Sequence, residues 1–139
     1  MKTIYTLSII SLGMSFFSLP NFFSQKDPTF KESMQRGKEI YSDICFTCHM
    51  PDGKGDGVIY PPLAGSDFLL NNRIGSIKAV KYGVSGKITV NGKTYYNYME
   101  NPGLTTKEVA DVMNYILNSW GNTSDKMVTP EEVESVQQF

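Results

Sequence analysis

The chain is poor in the residues that most site chemistry draws on. Its 139 residues include one histidine, His49, and two cysteines, Cys45 and Cys48. Two cysteines allow one short bridge at most, which excludes a disulfide scaffold. Two cysteines and one histidine also fall short of the four ligands of a structural zinc site, unless a carboxylate completes it. An excess of charge is lacking too: 13 Lys and Arg stand against 14 Asp and Glu, for a net charge of −1. A nucleic-acid binder needs a positive surface, so no DNA or RNA partner is expected. No apolar run reaches the roughly 20 residues that span a bilayer comfortably. Hydrophobic residues make up 40% and charged residues 19% of the chain. That balance suits a folded domain, and the length suits one of them. No internal repeat and no low-complexity tract is present.

What is present begins with an address. After Met1-Lys2, an uncharged apolar stretch runs from Ile4 to Leu19 and meets Pro20. A charged start followed by a short apolar run reads as a secretory signal peptide. We expect residues 1–24 to be removed, with an uncleaved anchor as the alternative. No cysteine follows the run, which argues against a lipoprotein. Loss of Lys2 leaves 12 positive and 14 negative side chains. Export implies a periplasmic or other extracytoplasmic, oxidising compartment.

Beyond the leader the periodicity is mostly helical. Phe30, Met34, Gly37, Tyr41 and Ile44 recur at three or four residues and predict a helix over 29–44, entered at Pro28-Thr29. Residues 51–62 are rich in Gly, Pro and Asp and must be loop. Short helices are expected from Ser66-Asp67 to Asn72 and from Ser76 to Tyr82. Residues 88–90 and 93–96 flank Asn91-Gly92, the pattern of a small hairpin with a type I′ turn. Thr105 and Glu108 form a capping box ahead of a stripe of Val109, Val112, Met113, Ile116, Leu117 and Trp120. Gly121-Asn122 ends that helix. The acidic tail 123–139 is expected to be exposed and partly disordered. The regular core of such a chain is small unless something else fills its centre.

One motif carries chemistry. Cys45-Phe46-Thr47-Cys48-His49 is C-x-x-C-H, the attachment pattern of c-type haem. Two thiols three positions apart at a helix end can add to the two vinyl groups of one porphyrin, and the next residue then offers an imidazole to the iron. A thioredoxin-like C-x-x-C follows a strand and opens a helix. Here a helix precedes the motif and a Gly-rich loop follows it, the reverse order. A plain structural disulfide explains neither His49 nor the small core.

With these residues the chain resembles the class I (mitochondrial-type) monohaem cytochromes c, in an exported bacterial form, from about Thr29 to Asn122. Gly37 and Tyr41 resemble the pair that lets the first helix cross the last closely, at Val112 and Tyr115. The segment Pro61-Pro62-Leu63 resembles the one whose proline carbonyl accepts a hydrogen bond from the haem-ligating histidine, so Pro61 or Pro62 fills that role. The run from Ser85 to Tyr95 and the ending from Asn118 to Asn122 are similar to bacterial members, some of which serve quinoprotein sugar and alcohol dehydrogenases. The resemblance implies a mostly α fold, three to five helices around one covalent haem c and its iron, with the domain over 25–122.

His49 would be one axial ligand. A second histidine does not exist, so the opposite ligand is not imidazole. Met1 and Met14 leave with the leader, Met50 adjoins His49, Met34 and Met113 lie on apolar helix stripes, and Met127 is in the tail. Met99 remains, at the place the family gives its axial methionine. The alternative is Met99 packed at the haem edge, with water, a lysine or nothing on the iron. Family members often carry Met-Pro here, whereas this chain has Met99-Glu100-Asn101-Pro102. Phe46, Tyr60, Leu63, Phe68, Leu69, Tyr98 and Ile116 are candidates to line the pocket, and Arg73 and Tyr95 to hold a propionate.

The loop Asp52–Gly57 fails as a calcium site, since its third position is Lys54 and its twelfth is Leu63. From Phe68 to Met99 there is no acidic residue, while Arg73, Lys78, Lys81, Lys87 and Lys93 are basic. Scattered solvated lysines explain this, or else a basic face that steers an acidic redox partner. The expected function is a non-enzymatic, monomeric one-electron carrier. Its partners would be a quinoprotein dehydrogenase or respiratory complex and a terminal oxidase or reductase. The rivals are a thiol–disulfide oxidoreductase and a haem protein with an open iron that binds a gas or peroxide.

Overall fold

A computed structural model describes residues 28–138, so the expected leader lies outside the described residues. The first helical run, in three pieces, extends beyond the 29–44 that its periodicity suggests. Helix α1 (Pro28–Ile40) runs into a π-helical turn, Tyr41–Cys45, and then into α2 (Phe46–His49). Widened π turns are uncommon and collect at functional positions. This one delivers Cys45, Cys48 and His49 at the end of the helical run, where Met50 stops it with φ 63° and ψ 162°. That conformation is strained for a side chain with a Cβ, at about 1–3 kcal/mol. It is held by the Tyr41 hydroxyl, which donates to the Met50 carbonyl at 2.6 Å.

The other long helix is α5 (Thr106–Ile116), whose capping box forms as expected: Thr105 accepts from the Glu108 N–H, and Glu108 accepts from the Thr105 N–H. Val109, Val112, Met113 and Ile116 are buried along it. Helix α1 crosses it at Gly37, where a Cβ would lie 2.0 Å from the Asp111 carbonyl oxygen and 2.9 Å from Tyr115 Cβ. Only hydrogen fits there. The crossing is tied by buried Asp111, which accepts from Ser33 at 2.6 Å, Arg36 at 2.7 and 2.9 Å, and Lys107 at 3.0 Å. These bonds outweigh the effect of burial, which would raise the Asp111 carboxyl pKa, and hold it below the usual range.

Helix α3 (Asp67–Asn71) is capped by Ser66, and α4 (Arg73–Tyr82) by Asn72. Helix α4 therefore starts three residues before the Ser76 start expected from periodicity, because the Asn72 carboxamide accepts from the Gly75 N–H. Strands β1 (Lys87–Val90) and β2 (Lys93–Tyr96) pair antiparallel, with Asn91 and Gly92 at φ 52° and 75° in the turn.

The tail corrects the expectation of an exposed, disordered end. It carries helix α6 (Pro130–Ser135), capped by Thr129, and buries Val128, Val133 and Val136. Buried Asn114 grips Val128 through both its main-chain groups, accepting from its N–H at 2.7 Å and donating to its carbonyl at 2.9 Å. Glu132 pairs with Arg73 at 2.6 Å. The acidic composition is real, but three valines between the charges supply an apolar face that α4 and α5 cover. The basic stretch 68–99 is likewise altered in meaning, since Arg73 and Lys81 are turned inward onto this tail. Lys78, Lys87 and Lys93 remain for a surface role.

Candidate functional site

The site begins with three side chains on one helical end. Cys45 and Cys48 carry free, half-buried thiols. Burial, with a smaller effect from Cys48, pushes the Cys45 thiol up to about 11. A nucleophilic cysteine needs a depressed value, so Cys45 is poorly suited to thiol–disulfide exchange. Interaction with the Cys48 thiol raises the Tyr60 hydroxyl pKa.

His49 is buried, and burial lowers its pKa, opposed by its bond to the Pro61 carbonyl. Its Nδ1 lies 3.0 Å from that oxygen. A carbonyl can only accept, so Nδ1 carries the proton and the neutral ring keeps a lone pair on Nε2. That is the tautomer a metal-bound imidazole requires. Of the two prolines expected as partners, the one that reaches His49 is Pro61; Pro62 adjoins it in the chain.

The loop that supplies Pro61 is held from several sides. Asp56 Oδ1 accepts from the N–H groups of Val58, Ile59 and Tyr60, all at 2.8 Å. Leu63 N–H donates to Gly53 O at 2.7 Å, and Asn122 donates to Leu63 O at 2.9 Å. Trp120 Nε1 donates to Pro51 O at 3.0 Å, and its ring lies so close to Gly53 that a Cβ there would sit 2.5 Å from it. Asp56, Asn122 and Trp120 were not expected as supports of the site. The cue for Asp56 was local, an Asp followed by Gly, a common Asx-turn pattern. Those for Asn122 and Trp120 were not, because their partners lie 59 and 69 residues away.

Met99 is half-buried in the loop between β2 and α5 and is fixed by its main chain. Its N–H donates to Val84 O at 2.8 Å and its carbonyl accepts from Val84 N–H at 2.9 Å, an isolated antiparallel bridge. Gly83, with φ 80°, allows this approach, since a Cβ there would lie 2.5 Å from Met99 O. Arg73, a candidate to hold a propionate, is engaged by the tail. Its guanidinium donates to both Glu132 oxygens and to the carbonyls of Lys126 and Met127, because the tail brings a carboxylate against α4. Tyr95 is buried on β2, with the Lys93 ammonium 5.4 Å from its ring centroid. Of the expected pocket residues, Leu69 and Ile116 are deeply buried in the main core and Leu63 packs on its edge. Tyr60 and Phe68 are half-buried, and Phe46 and Tyr98 are exposed.

The donor set and its surroundings fit a haem. Two free thiols, a neutral imidazole with an open Nε2 and a thioether loop are the groups that covalent haem uses. Ile44 and Phe46 beside Cys45, Val58 and Ile59 after His49, Leu70 and Ile74 on α3 and α4, and Tyr98 beside Met99 are each more than 40% exposed. Most of these apolar side chains flank the segments that carry Cys45, Cys48, His49 and Met99 and suit an apolar group such as a porphyrin. Among the described residues no helix is long and apolar enough to cross a membrane.

Comparison with known proteins gives the same direction. The family model for cytochrome c matches residues 34–120. Cytochrome c-552 of Thermus thermophilus is 33% identical over 110 residues, covering 73% of this chain and 83% of its own. Cytochrome c6 of Gracilaria tenuistipitata var. liui is 31% identical over 115 residues, covering 80% of this chain and 96% of its own. The cytochrome c subunit of the quinone alcohol dehydrogenase of Gluconobacter oxydans is 30% identical over 105 residues, 73% of this chain, but the match spans only 22% of that longer subunit. The family model covers more than half of the chain and the Thermus relative matches over most of its own length, so the chain belongs to the cytochrome c family.

Proposed function

We propose that the protein is an exported monohaem carrier of single electrons. In this reading Cys45 and Cys48 form the thioethers, and His49 and Met99 are the axial ligands. The observation that carries it is the C-x-x-C-H end of the first helical run, with a neutral His49 whose Nδ1–H is spent on Pro61 O. When bound, the haem iron supplies a one-electron couple between Fe(III) and Fe(II). The chain's own residues do the rest. Pro61 fixes the imidazole plane and raises its basicity as a ligand. Val84 holds the Met99 segment. Apolar residues on the flanking segments keep water from the centre, which favours the less charged reduced form. Were His49 and Met99 both to hold the iron, no position on it would be left for a substrate, and the chain would hand electrons on rather than transform a molecule.

The likenesses to the alcohol dehydrogenase subunit and to the gluconate 2-dehydrogenase cytochrome c subunit of Pantoea cypripedii support a dehydrogenase as electron donor. An oxidase or reductase would then be the acceptor. The apolar leader supports export to an extracytoplasmic space. Redox titration of the haem-loaded protein tests the ligand assignment. Met99→Ala should lower the reduction potential and let carbon monoxide bind the ferrous form rapidly. An unchanged potential, together with unchanged resistance to carbon monoxide, would remove Met99 from the iron.

A further inference from the structure

The tail meets the end of α4 through main-chain oxygens. Lys81 Nζ donates to the carbonyls of Val133 at 2.9 Å, Glu134 at 3.4 Å and Val136 at 3.0 Å. The Tyr82 hydroxyl donates to the same Val136 oxygen at 3.1 Å. The Lys81 ammonium also lies 5.0 Å from the Tyr82 ring centroid. Val133 and Val136 are buried, so these oxygens are presented by a docked segment. The next residues after Tyr82 are Gly83 and Val84, which form the bridge to Met99. Tail, end of α4, bridge and Met99 are thus joined in one line of contacts.

A bridge of two hydrogen bonds is marginal alone, and a helix end that meets no partner frays. Gly83 has already left helical geometry, with φ 80°. The main chain of Met99 packs against Gly83 at a place where any side chain would collide with the Met99 carbonyl oxygen. We propose that the C-terminal tail is a clamp on the sixth-ligand loop, with Lys81 and Tyr82 as positioning residues that act on Met99 through Gly83 and Val84. The proposal rests on Met99 being the axial ligand. Opening the Val84–Met99 bridge would release the segment that carries the thioether and so make room for an added ligand. Tail docking resists that opening.

The test uses full-length, haem-loaded protein carrying Lys81→Met and Tyr82→Phe together. Methionine keeps the length of the lysine stem and phenylalanine keeps the ring, so the bonds to the tail and the ammonium–ring contact are lost while the apolar packing is kept. The ferric protein is titrated with imidazole, and amide exchange is followed at Val84 and Met99. The clamp predicts roughly tenfold tighter imidazole binding, and exchange at those two amides faster by a similar factor. Arg36→Gln, on the α1–α5 crossing, serves as a control that lowers the thermal midpoint and leaves both readouts unchanged. The proposal is overturned if the double variant binds imidazole within about twofold of the parent, or if Arg36→Gln tightens binding as much. The parent's sulfur-to-iron charge-transfer band separates the two levels. Its presence with an unresponsive double variant overturns the clamp alone. Its absence, with Met99→Ala binding imidazole like the parent, overturns the ligand assignment and the clamp with it.

Discussion

Gly37→Ala sets two known effects against each other. Alanine is the better helix former by about 1 kcal/mol, so at an exposed site the change would stabilise α1. At Gly37 the new Cβ would lie 2.0 Å from the Asp111 carbonyl oxygen, 2.6 Å from its carbon and 2.9 Å from Tyr115 Cβ. Ordinary carbon contacts lie at about 3.5–4 Å, so the helices would have to part by roughly 1.5 Å. Overpacking costs about 1–3 kcal/mol, and the upper end applies because the obstacle is mainly backbone. Sterics therefore win by about 2 kcal/mol, once the helix propensity gain of about 1 is subtracted. For a domain of this size that lowers the thermal midpoint by roughly 10 °C. The assay is thermal unfolding of the haem-loaded variant followed by circular dichroism. A midpoint equal to or above that of the parent would refute the close crossing.

Asn114→Ala should free the tail. It leaves the N–H and carbonyl of buried Val128 without their partner, at about 1–3 kcal/mol for each group. Limited proteolysis should then cut within 123–129 while the rest stays protected, and an uncut tail would contradict the docking. Acid should expose the Asp111 pairing. Its folded-state pKa lies below the unfolded value, so the pairing stabilises the fold above the unfolded pKa of about 3.9 and is lost as pH falls through the folded one. The urea midpoint should drop with acidification in the parent and drop less in Asp111→Asn; equal acid sensitivity in both would show that Asp111 is not responsible.

What could be read from the sequence was local. The capping box spans four residues, the Asn91-Gly92 turn two, and the attachment motif five, so each carries its own geometry. Gly37 was legible only through family likeness, since nothing beside it announces a helix 74 residues on at Asp111. The tail was misjudged because its carboxylates cluster at Glu131, Glu132 and Glu134 while its apolar face is three spaced valines. Its anchors Arg73, Lys81 and Asn114 come from other helices. Arg73 was assigned by charge type, but its actual partner depends on where the tail folds back. The choice between Pro61 and Pro62 likewise needed the path of the loop that Asp56 and Asn122 hold.

The central claim is that one haem is bonded through the sulfurs of Cys45 and Cys48. Intact-mass spectrometry with thiol alkylation, on protein matured in a host that attaches haem, tests it most directly. The account predicts one haem added, no alkylated cysteine, and both thioethers mapped to the peptide containing Cys45 and Cys48. A colourless protein with both thiols alkylated would contradict it.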